Sequence, residues 1–245
     1  NILNDLLIMR SMDEIVKICE GNHTNLIKTS QFLEKIIRVK PHYQQIRLID
    51  TAGMEIVRRT NQGIAQNIIV EIVQNKAHRP YFIQMKQINS NQVYISPLEL
   101  NVENGELERP LNPVLRFGVP VLNAQNMILA FLIVNVSAKP IRAFLEETRQ
   151  FSDTVRLLDS HANVLFSSDP TEEFRHILNE NNVALSSQPP TLPIINTSTF
   201  SDSSFLSDDH IEFVHNISLH TIFATFNPLS INQNFIISLN TRSWF

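Results

Sequence analysis

The chain has few of the residues on which several classes of protein depend. It holds one cysteine, Cys19, and five glycines among 245 residues. A lone thiol cannot form an internal disulfide or a Cys-x-x-Cys redox pair, so disulfide scaffolds and dithiol oxidoreductases are excluded. No apolar run reaches the roughly 18 residues that a membrane-spanning helix needs. Acidic and basic residues are interspersed at a net charge of −4, which argues against nucleic acid as a partner.

Sequence motifs that carry catalysis are also missing. There is no Gly-x-Ser-x-Gly elbow, no His-Glu-x-x-His pair and no phosphate-binding glycine loop. The eight histidines are scattered, without a pair at metal-ligand spacing on an evident helix face. We therefore predict no catalytic residues, no metal site and no cofactor, and we expect a binding domain rather than an enzyme.

The composition is that of a folded domain, with 43% hydrophobic and 18% charged residues. The length suits one large domain or two of roughly 100–120 residues. Apolar residues recur at spacings of three and four from Ile2 to Arg38, which predicts a long N-terminal helix that Pro41 ends. Gly21-Asn22 is a place where such a helix would kink or break. At 1.5 Å per residue the helix would span about 50 Å and run along two domains.

Two sequence matches at nearly the same offset indicate an internal duplication. "IRLIDT" at Ile46–Thr51 corresponds to "VRLLDS" at Val155–Ser160, and "PVLNAQNM" at Pro120–Met127 corresponds to "PLSINQNF" at Pro228–Phe235, at offsets of 109 and 108. Each repeat begins and ends with strand hairpins and has helices between them, which predicts an α+β fold. The predicted parts are a helix over residues 1–40 and two domains over residues 41–140 and 141–245.

Three strand-like segments place polar side chains among apolar ones. Successive side chains of a strand point to opposite faces, so Tyr94 and Ser96 share one face in "VYIS", and Arg116 shares a face with Gly118 in "VLRFGV". Gly118 would leave space beside Arg116, and Arg47 in "QIRLID" offers a second guanidinium. A cavity lined by arginine, tyrosine and serine suits a small organic acid. The alternative for Tyr94 is a core position with its hydroxyl hydrogen-bonded.

The two arginines have structural alternatives of unequal weight. Arg47 has a counterpart, Arg156, in the second repeat, which favours a structural ion pair with Asp50 or Glu55. Arg116 has none, because the second repeat has alanine at the matching position. This asymmetry between the repeats favours a ligand-binding role for Arg116.

Several segments together resemble the double Cache sensor domain, a tandem PAS-like fold of extracytoplasmic regions in bacterial signalling receptors. They are "YQQIRLIDTAGMEIVRRTN", "HRPYF", "VYISPLELN", "NPVLRFGVPVLN" and "LIVNVS". The resemblance covers the whole chain, is most specific over residues 41–137, and is closest to sensor domains of histidine kinases. It implies a long N-terminal helix followed by two PAS-like domains, each with a central antiparallel sheet flanked by helices.

The resemblance also implies ligand-binding residues in the membrane-distal domain. In carboxylate sensors of this type, a segment like "HRPYF" lies in the loop over the pocket, so Arg79 is expected to bind the ligand carboxylate and Tyr81 to line the cavity. Pro80 would fix the backbone and reduce the ordering cost of binding. The structural alternative is that Arg79 caps nearby carbonyls while Tyr81 fills the core. Asn135 stands where relatives that bind amino acids carry an aspartate, which favours a carboxylate or another small polar ligand.

The cellular context follows from the same resemblance. It implies a periplasmic domain attached to the bacterial inner membrane through transmembrane helices on either side, and a homodimer in the full receptor. The expected receptor is a sensor histidine kinase, with a diguanylate cyclase or a chemoreceptor as alternatives. A module that only dimerises or binds another protein, without a small ligand, is the remaining alternative.

Overall fold

The chain divides into two compact units, Asn1–Ala138 and Lys139–Phe245. This computed structural model describes residues 2–61, 74–103, 105–148, 154–159, 161, 163–180, 203–207, 210–218 and 234–242. Within those ranges no helix is both long and apolar enough to cross a membrane.

The N-terminal segment forms three helices instead of the predicted single one. They are α1 (Ile2–Arg10), α2 (Asp13–Cys19) and α3 (Leu26–Val39), with a 3-10 turn at His23–Asn25. Gly21 has a φ of +91°, a left-handed conformation that ends α2 at the expected place. Met12 is extended, with a φ of −72° and a ψ of 131°, and this separates α1 from α2. The prediction of one long helix is therefore wrong, because the apolar spacing continues across two breaks in the backbone.

The first unit is built on an antiparallel sheet. Its strands are β1 (Tyr43–Asp50), β2 (Glu55–Thr60), β3 (Tyr94–Ile95), β4 (Glu99–Leu100), β7 (Pro113–Leu122) and β8 (Ile128–Ser137), while β5 (Val102–Glu103) and β6 (Glu106–Leu107) form a separate hairpin. The strand order is β2-β1-β8-β7-β3, and β4 pairs with β7. Helix α4 (Pro80–Met85) precedes β3 in the chain.

The two faces of this sheet pack against different helices. Tyr43 at the start of β1 donates a hydrogen bond to Asp5 of α1 at 2.5 Å, so the face of Tyr43 carries the N-terminal helices. A register shift after Tyr43 puts Arg47 on the opposite face, where it bonds to Tyr81 of α4. The two faces are thus an apolar one under α1–α3 and a mixed one under α4.

The second unit has the same strand order as the first. Its elements are α5 (Lys139–Thr148), β9 (Thr154–Leu158), β10 (Val164–Ser167), α6 (Arg175–Glu180), β11 (Ser203–Ser207), β12 (His210–Ser218) and β13 (Asn234–Arg242). Its sheet runs β10-β9-β13-β12-β11, so that β9 lies where β1 lies in the first unit. These two strands carry the first pair of matched sequences. The second match, Pro228–Phe235, lies mostly outside the described residues. Antiparallel sheets with helices agree with the predicted α+β class.

Candidate functional site

The mixed face of the first sheet gathers the polar residues that the sequence singled out. Arg116 of β7 pairs with Asn135 of β8 across the strands, and Tyr94 of β3 pairs with Gly118. Because cross-strand partners point to the same face, their side chains and that of Arg47 lie on one side of the sheet. An apolar cluster covers the neighbouring part of this face: Ile49, Tyr81, Phe82, Met85, Tyr94, Phe131 and Ile133.

Tyr81 joins the two buried arginines. Its ring centroid lies 5.4 Å from the guanidinium carbon of Arg47 and 5.1 Å from that of Arg116. Arg47 Nη1 also donates a hydrogen bond to the Tyr81 hydroxyl at 3.0 Å, and Nη2 donates one to Asn135 Oδ1 at 2.9 Å. Both contacts are favourable, since an aromatic face attracts cations and a charged donor strengthens a hydrogen bond. The fold therefore brings Arg47, Tyr81 and Arg116 together.

Arg116 is almost fully enclosed, with 1% of its surface exposed. Its Nη1 forms an ion pair with Glu99 of β4, and Nη2 lies 3.4 Å from Asn101 Oδ1. Its Nε has no hydrogen-bond partner among the described residues. Burial lowers the pKa of Arg116, and the Glu99 carboxylate opposes this effect. Since arginine stays protonated in proteins, the site holds a buried positive charge with a spare donor.

Arg47 has the ion pair that the structural alternative predicted. Its Nη1 lies 3.6 Å from Glu55 Oε1, and the Glu55 side chain is fully buried. Glu55 Oε2 accepts the main-chain N–H of Gln74 at 2.9 Å, while Oε1 has no hydrogen-bond partner in the part of the chain that is described. Lys76 lies in the same region, where burial and then the charge of Arg47 lower the pKa of its ammonium group.

Arg79 immediately precedes α4, at its N-cap position. Its backbone is extended, with a φ of −77° and a ψ of 133°, and Pro80 opens the helix, so Tyr81 lies on a helix rather than in a loop. The carbonyl of Arg79 accepts the N–H groups of Phe82 and Ile83. The half-buried side chain forms no cap, and its guanidinium makes no hydrogen bond or ion pair with any residue described here. Its charge lowers the pKa of Arg116, after the larger effects of burial and of the Arg47 charge.

The loop before Arg79 is held by the β1–β2 turn. Gly53 has a φ of +94°, and a Cβ atom added to it would lie 2.6 Å from the backbone of Ala77. The Gly53 carbonyl accepts the N–H of Lys76 at 2.7 Å. This close approach fixes the start of the segment that leads to Arg79.

Tyr94 and Ser96 are both buried, at 7% and 0% exposure, and both already have partners. The Tyr94 hydroxyl donates to Gln84 Oε1 at 2.9 Å, and burial raises the pKa of Tyr94. The Ser96 hydroxyl donates to the carbonyl of Pro97 at 2.7 Å and accepts the N–H of Arg116 at 2.9 Å. Ser96 therefore positions the backbone of Arg116 and has no hydrogen left to donate to a ligand.

Gly118 does not leave open space beside Arg116. A Cβ atom at this position would overlap the methyl group of Met85 and would lie 2.8 Å from its sulfur. The room that the glycine provides is therefore filled by Met85 of α4. That expectation is wrong because a strand segment does not show which helix packs over it.

Sequence reasoning missed Glu99, Asn101 and Lys76. Glu99 lies between Leu98 and Leu100, which are buried at 5% and 4% exposure. A carboxylate between two buried leucines, near a strand with a buried arginine, was a signal that could have identified the pair. Nothing in the spacing of Lys76 or Asn101 pointed to this face.

Arg156 of the second unit, which matches Arg47, has a carboxylate partner that bonds two of its nitrogens. Arg156 Nε and Nη2 donate to the two carboxylate oxygens of Glu172 at 2.7 and 2.9 Å. Ser167 donates a further hydrogen bond to Glu172 at 2.8 Å. This bidentate pair is a structural arrangement, unlike the partly used guanidinium groups of the first unit.

Comparison with known proteins identifies a family. The sequence model of the family described as bacterial histidine kinase, sensor domain, matches residues 12–197. No curated protein sequence matches the chain.

Solved structures with a similar fold include extracellular and ligand-binding domains of signalling proteins. The extracellular domain of the putative histidine kinase vpHK1S-Z8 has a TM-score of 0.71 at 20% identity, covering 96% of this chain and 81% of that one. A domain of a putative sensory box/GGDEF family protein from Vibrio parahaemolyticus has a TM-score of 0.72 at 20% identity, covering 96% and 86%. The ligand-binding domain of the Campylobacter jejuni chemoreceptor Tlp3, in complex with 4-methylisoleucine, has a TM-score of 0.54 at 10% identity, covering 95% and 77%.

Proposed function

We propose that this chain, which belongs to the family of bacterial histidine kinase sensor domains, senses a small carboxylate in its first unit. The family confirms the prediction of a sensor domain that has no catalytic role of its own. The observation that carries the ligand class is Arg79, whose half-buried guanidinium has no hydrogen-bond or ion-pair partner in the described structure and which immediately precedes the helix of Tyr81.

Charge in this region supports an anionic ligand. The cationic groups are Arg47, Arg58, Lys76, Arg79 and Arg116, while the described carboxylates around them are Glu55, Glu99 and Glu103. Arg47, Arg58 and Arg116 each have an ion pair with one of these carboxylates, whereas Lys76 and Arg79 have none among the described residues. A partly buried cation without a counter-charge is unfavourable, and a carboxylate that enters beside it gains charge-assisted hydrogen bonds. Within the described ranges, Nε of Arg47, Nε of Arg116 and the guanidinium of Arg79 have no hydrogen-bond partner.

The ligand is expected to bind against Tyr81. Arg79 would contact the carboxylate of the ligand. Arg116 and Arg47 would lie behind the Tyr81 ring, and Tyr94 would form one side of the binding site. Asn135 uses its amide oxygen for Arg47 and its amide nitrogen for Gln45, at 2.9 and 3.4 Å. It offers no carboxylate to an ammonium group, which favours an organic acid or another small polar molecule over an amino acid.

The receptor would work by a shift between conformations. A ligand that binds one arrangement of α4 better than another favours it, and coupling of about 1–3 kcal/mol is enough for signalling. We place this domain in the periplasm, anchored in the inner membrane by flanking helices. The receptor that carries it is a histidine kinase in this proposal, and a diguanylate cyclase or a chemoreceptor is the alternative. Homodimerisation would use the N-terminal helices, where Ile8 and Ile27 are 62% and 70% exposed.

The test is thermal unfolding of the domain with the sodium salts of acetate, propanoate, lactate, succinate and malate. At least one acid should raise the Tm, and Arg79→Ala should weaken its binding by at least about tenfold, as expected for loss of a charged hydrogen bond. Arg38→Ala is the matched control, because Arg38 is 70% exposed and pairs only with Glu34 among the described residues. If no acid raises the Tm, or if Arg79→Ala binds the acid as well as the wild type, the carboxylate-binding proposal is rejected.

A further inference from the structure

The ion pair between Glu99 and Arg116 has two unequal partners. The Arg116 side chain is 2% exposed, whereas that of Glu99 is 31% exposed. Arg116 is fixed by the central strand β7 and by the ring of Tyr81, 5.1 Å away. Glu99 belongs to β4, a strand of two residues that, among the described strands, pairs with the start of β7 alone. The carboxylate can therefore move into solvent more easily than the guanidinium can.

Glu99 also uses the guanidinium incompletely. It bonds Nη1 through one oxygen, Oε2, while Nη2 has only a long contact of 3.4 Å to Asn101 and Nε has no hydrogen-bond partner in the described ranges. A free carboxylate that bonds two guanidinium nitrogens at once forms a stronger contact than a single-oxygen pair. Glu99 thus carries the same chemical group as the expected ligand, and an incoming carboxylate can replace its single-oxygen contact with Arg116.

We propose that Glu99 occupies the anion position on Arg116 in the ligand-free domain and that an incoming carboxylate displaces it towards solvent. This inference rests on the proposed function, because it takes Arg116 as a ligand contact. Glu99 is then a residue that sets the affinity. When a site is closed in most molecules, its apparent affinity falls in proportion to the fraction of molecules in which it is open. Glu99 therefore raises the ligand concentration at which the receptor responds.

The first test needs no knowledge of the natural ligand. Glu99→Ala leaves the buried Arg116 charge unpaired and is expected to lower the Tm by about 3–8 °C. Acetate at about 100 mM should restore at least half of that loss, since a ligand that binds only the folded state stabilises it, whereas chloride at equal ionic strength should not. The double variant Glu99→Ala/Arg116→Gln removes both charges, and acetate should then have no effect beyond that of chloride. If Glu99→Ala does not fold, the same acetate titration is made with Glu99→Gln.

The proposal would be overturned if acetate raised the Tm of the single variant no more than chloride does. It would also be overturned if acetate raised the Tm of the double variant as much as that of the single variant. The second test uses an acid that the thermal panel identifies. If Glu99 closes the site in nine of ten molecules, Glu99→Gln should bind that acid about tenfold more tightly. Unchanged or weaker binding would instead make Glu99 a structural partner or a ligand contact, and would overturn the inference.

The two proposals fail differently. If no acid in the panel binds the wild type, the carboxylate-sensing function is rejected, while acetate rescue of Glu99→Ala still decides whether Glu99 holds an exchangeable anion site. If an acid binds and depends on Arg79, but Glu99→Gln does not tighten it, the function stands and the role of Glu99 is rejected.

Discussion

The hydroxyl oxygen of Tyr81 accepts a hydrogen bond from Nη1 of Arg47 at 3.0 Å, and both side chains are at least nine-tenths buried. The two residues are 34 positions apart, one at the start of α4 and the other in the middle of β1. The bond therefore ties the helix that carries the proposed ligand contacts to the sheet beneath it.

Tyr81→Phe should destabilise the domain, because it keeps the ring and removes the acceptor of a buried, charged donor. A buried donor left without its partner costs about 1–3 kcal/mol, which urea unfolding would measure. Tyr94→Phe is the matched control, because the Tyr94 hydroxyl bonds to the exposed Gln84. This change should lower the free energy of unfolding by less than about 1 kcal/mol. Equal effects of the two changes would mean that the bond from Arg47 contributes nothing particular to stability.

Gly53→Ala should destabilise the protein more than Gly21→Ala. Both glycines are left-handed, at φ values of +94° and +91°, so the backbone strain of an alanine, about 1–2 kcal/mol, is common to both. Only at Gly53 does the new Cβ meet backbone, at 2.6 Å from Ala77, whereas nothing lies within 4 Å at Gly21. The extra loss in urea unfolding should be about 1–3 kcal/mol, as for other overpacked sites.

The same change should also weaken ligand binding, because the segment of Ala77 leads to Arg79. Thermal shifts with the acid selected above would measure this, with Gly21→Ala as the reference. If Gly53→Ala is no less stable than Gly21→Ala, the close approach of the turn to Ala77 is not a constraint on the fold.

Asp5 should make stability depend on acid pH. Burial by itself raises the pKa of Asp5, but the hydrogen bond from Tyr43 and the ammonium of Lys40 at 3.0 Å outweigh it, and the pKa is lowered. A carboxylate with a lowered pKa in the folded state contributes stability above the unfolded value of about 4, and this contribution is lost as pH falls through the folded value.

Urea unfolding of the wild type and Asp5→Asn from pH 7 to pH 3 would measure this dependence. The difference in unfolding free energy should be largest near neutral pH and should shrink below about pH 4. A difference that stays constant over this range would show that the charge of Asp5 is not what links α1 to β1.

The sequence indicated which side chains share a face because alternation is a property of the local backbone. Any strand through Tyr94 and Ser96, or through Arg116 and Gly118, separates them from their neighbours, whatever the strand pairs with. The buried side proved to be that of Tyr94 and Ser96, with Val93 and Ile95 only half-buried. The prediction of one long N-terminal helix was wrong for a related reason. Apolar spacing reports the buried stripe, and three short helices can share one stripe.

What the sequence determined by itself is the family, the α+β class and the side chains that share a face along each strand, because these depend on local pattern and on motifs. Only the tertiary structure decided their partners. Strand register placed Glu99 on Arg116, and the packing of α4 put Tyr81 between two guanidinium groups and Met85 beside Gly118. These contacts join residues distant in the chain, and their geometry is set by how helix and sheet fit together, which no local spacing encodes.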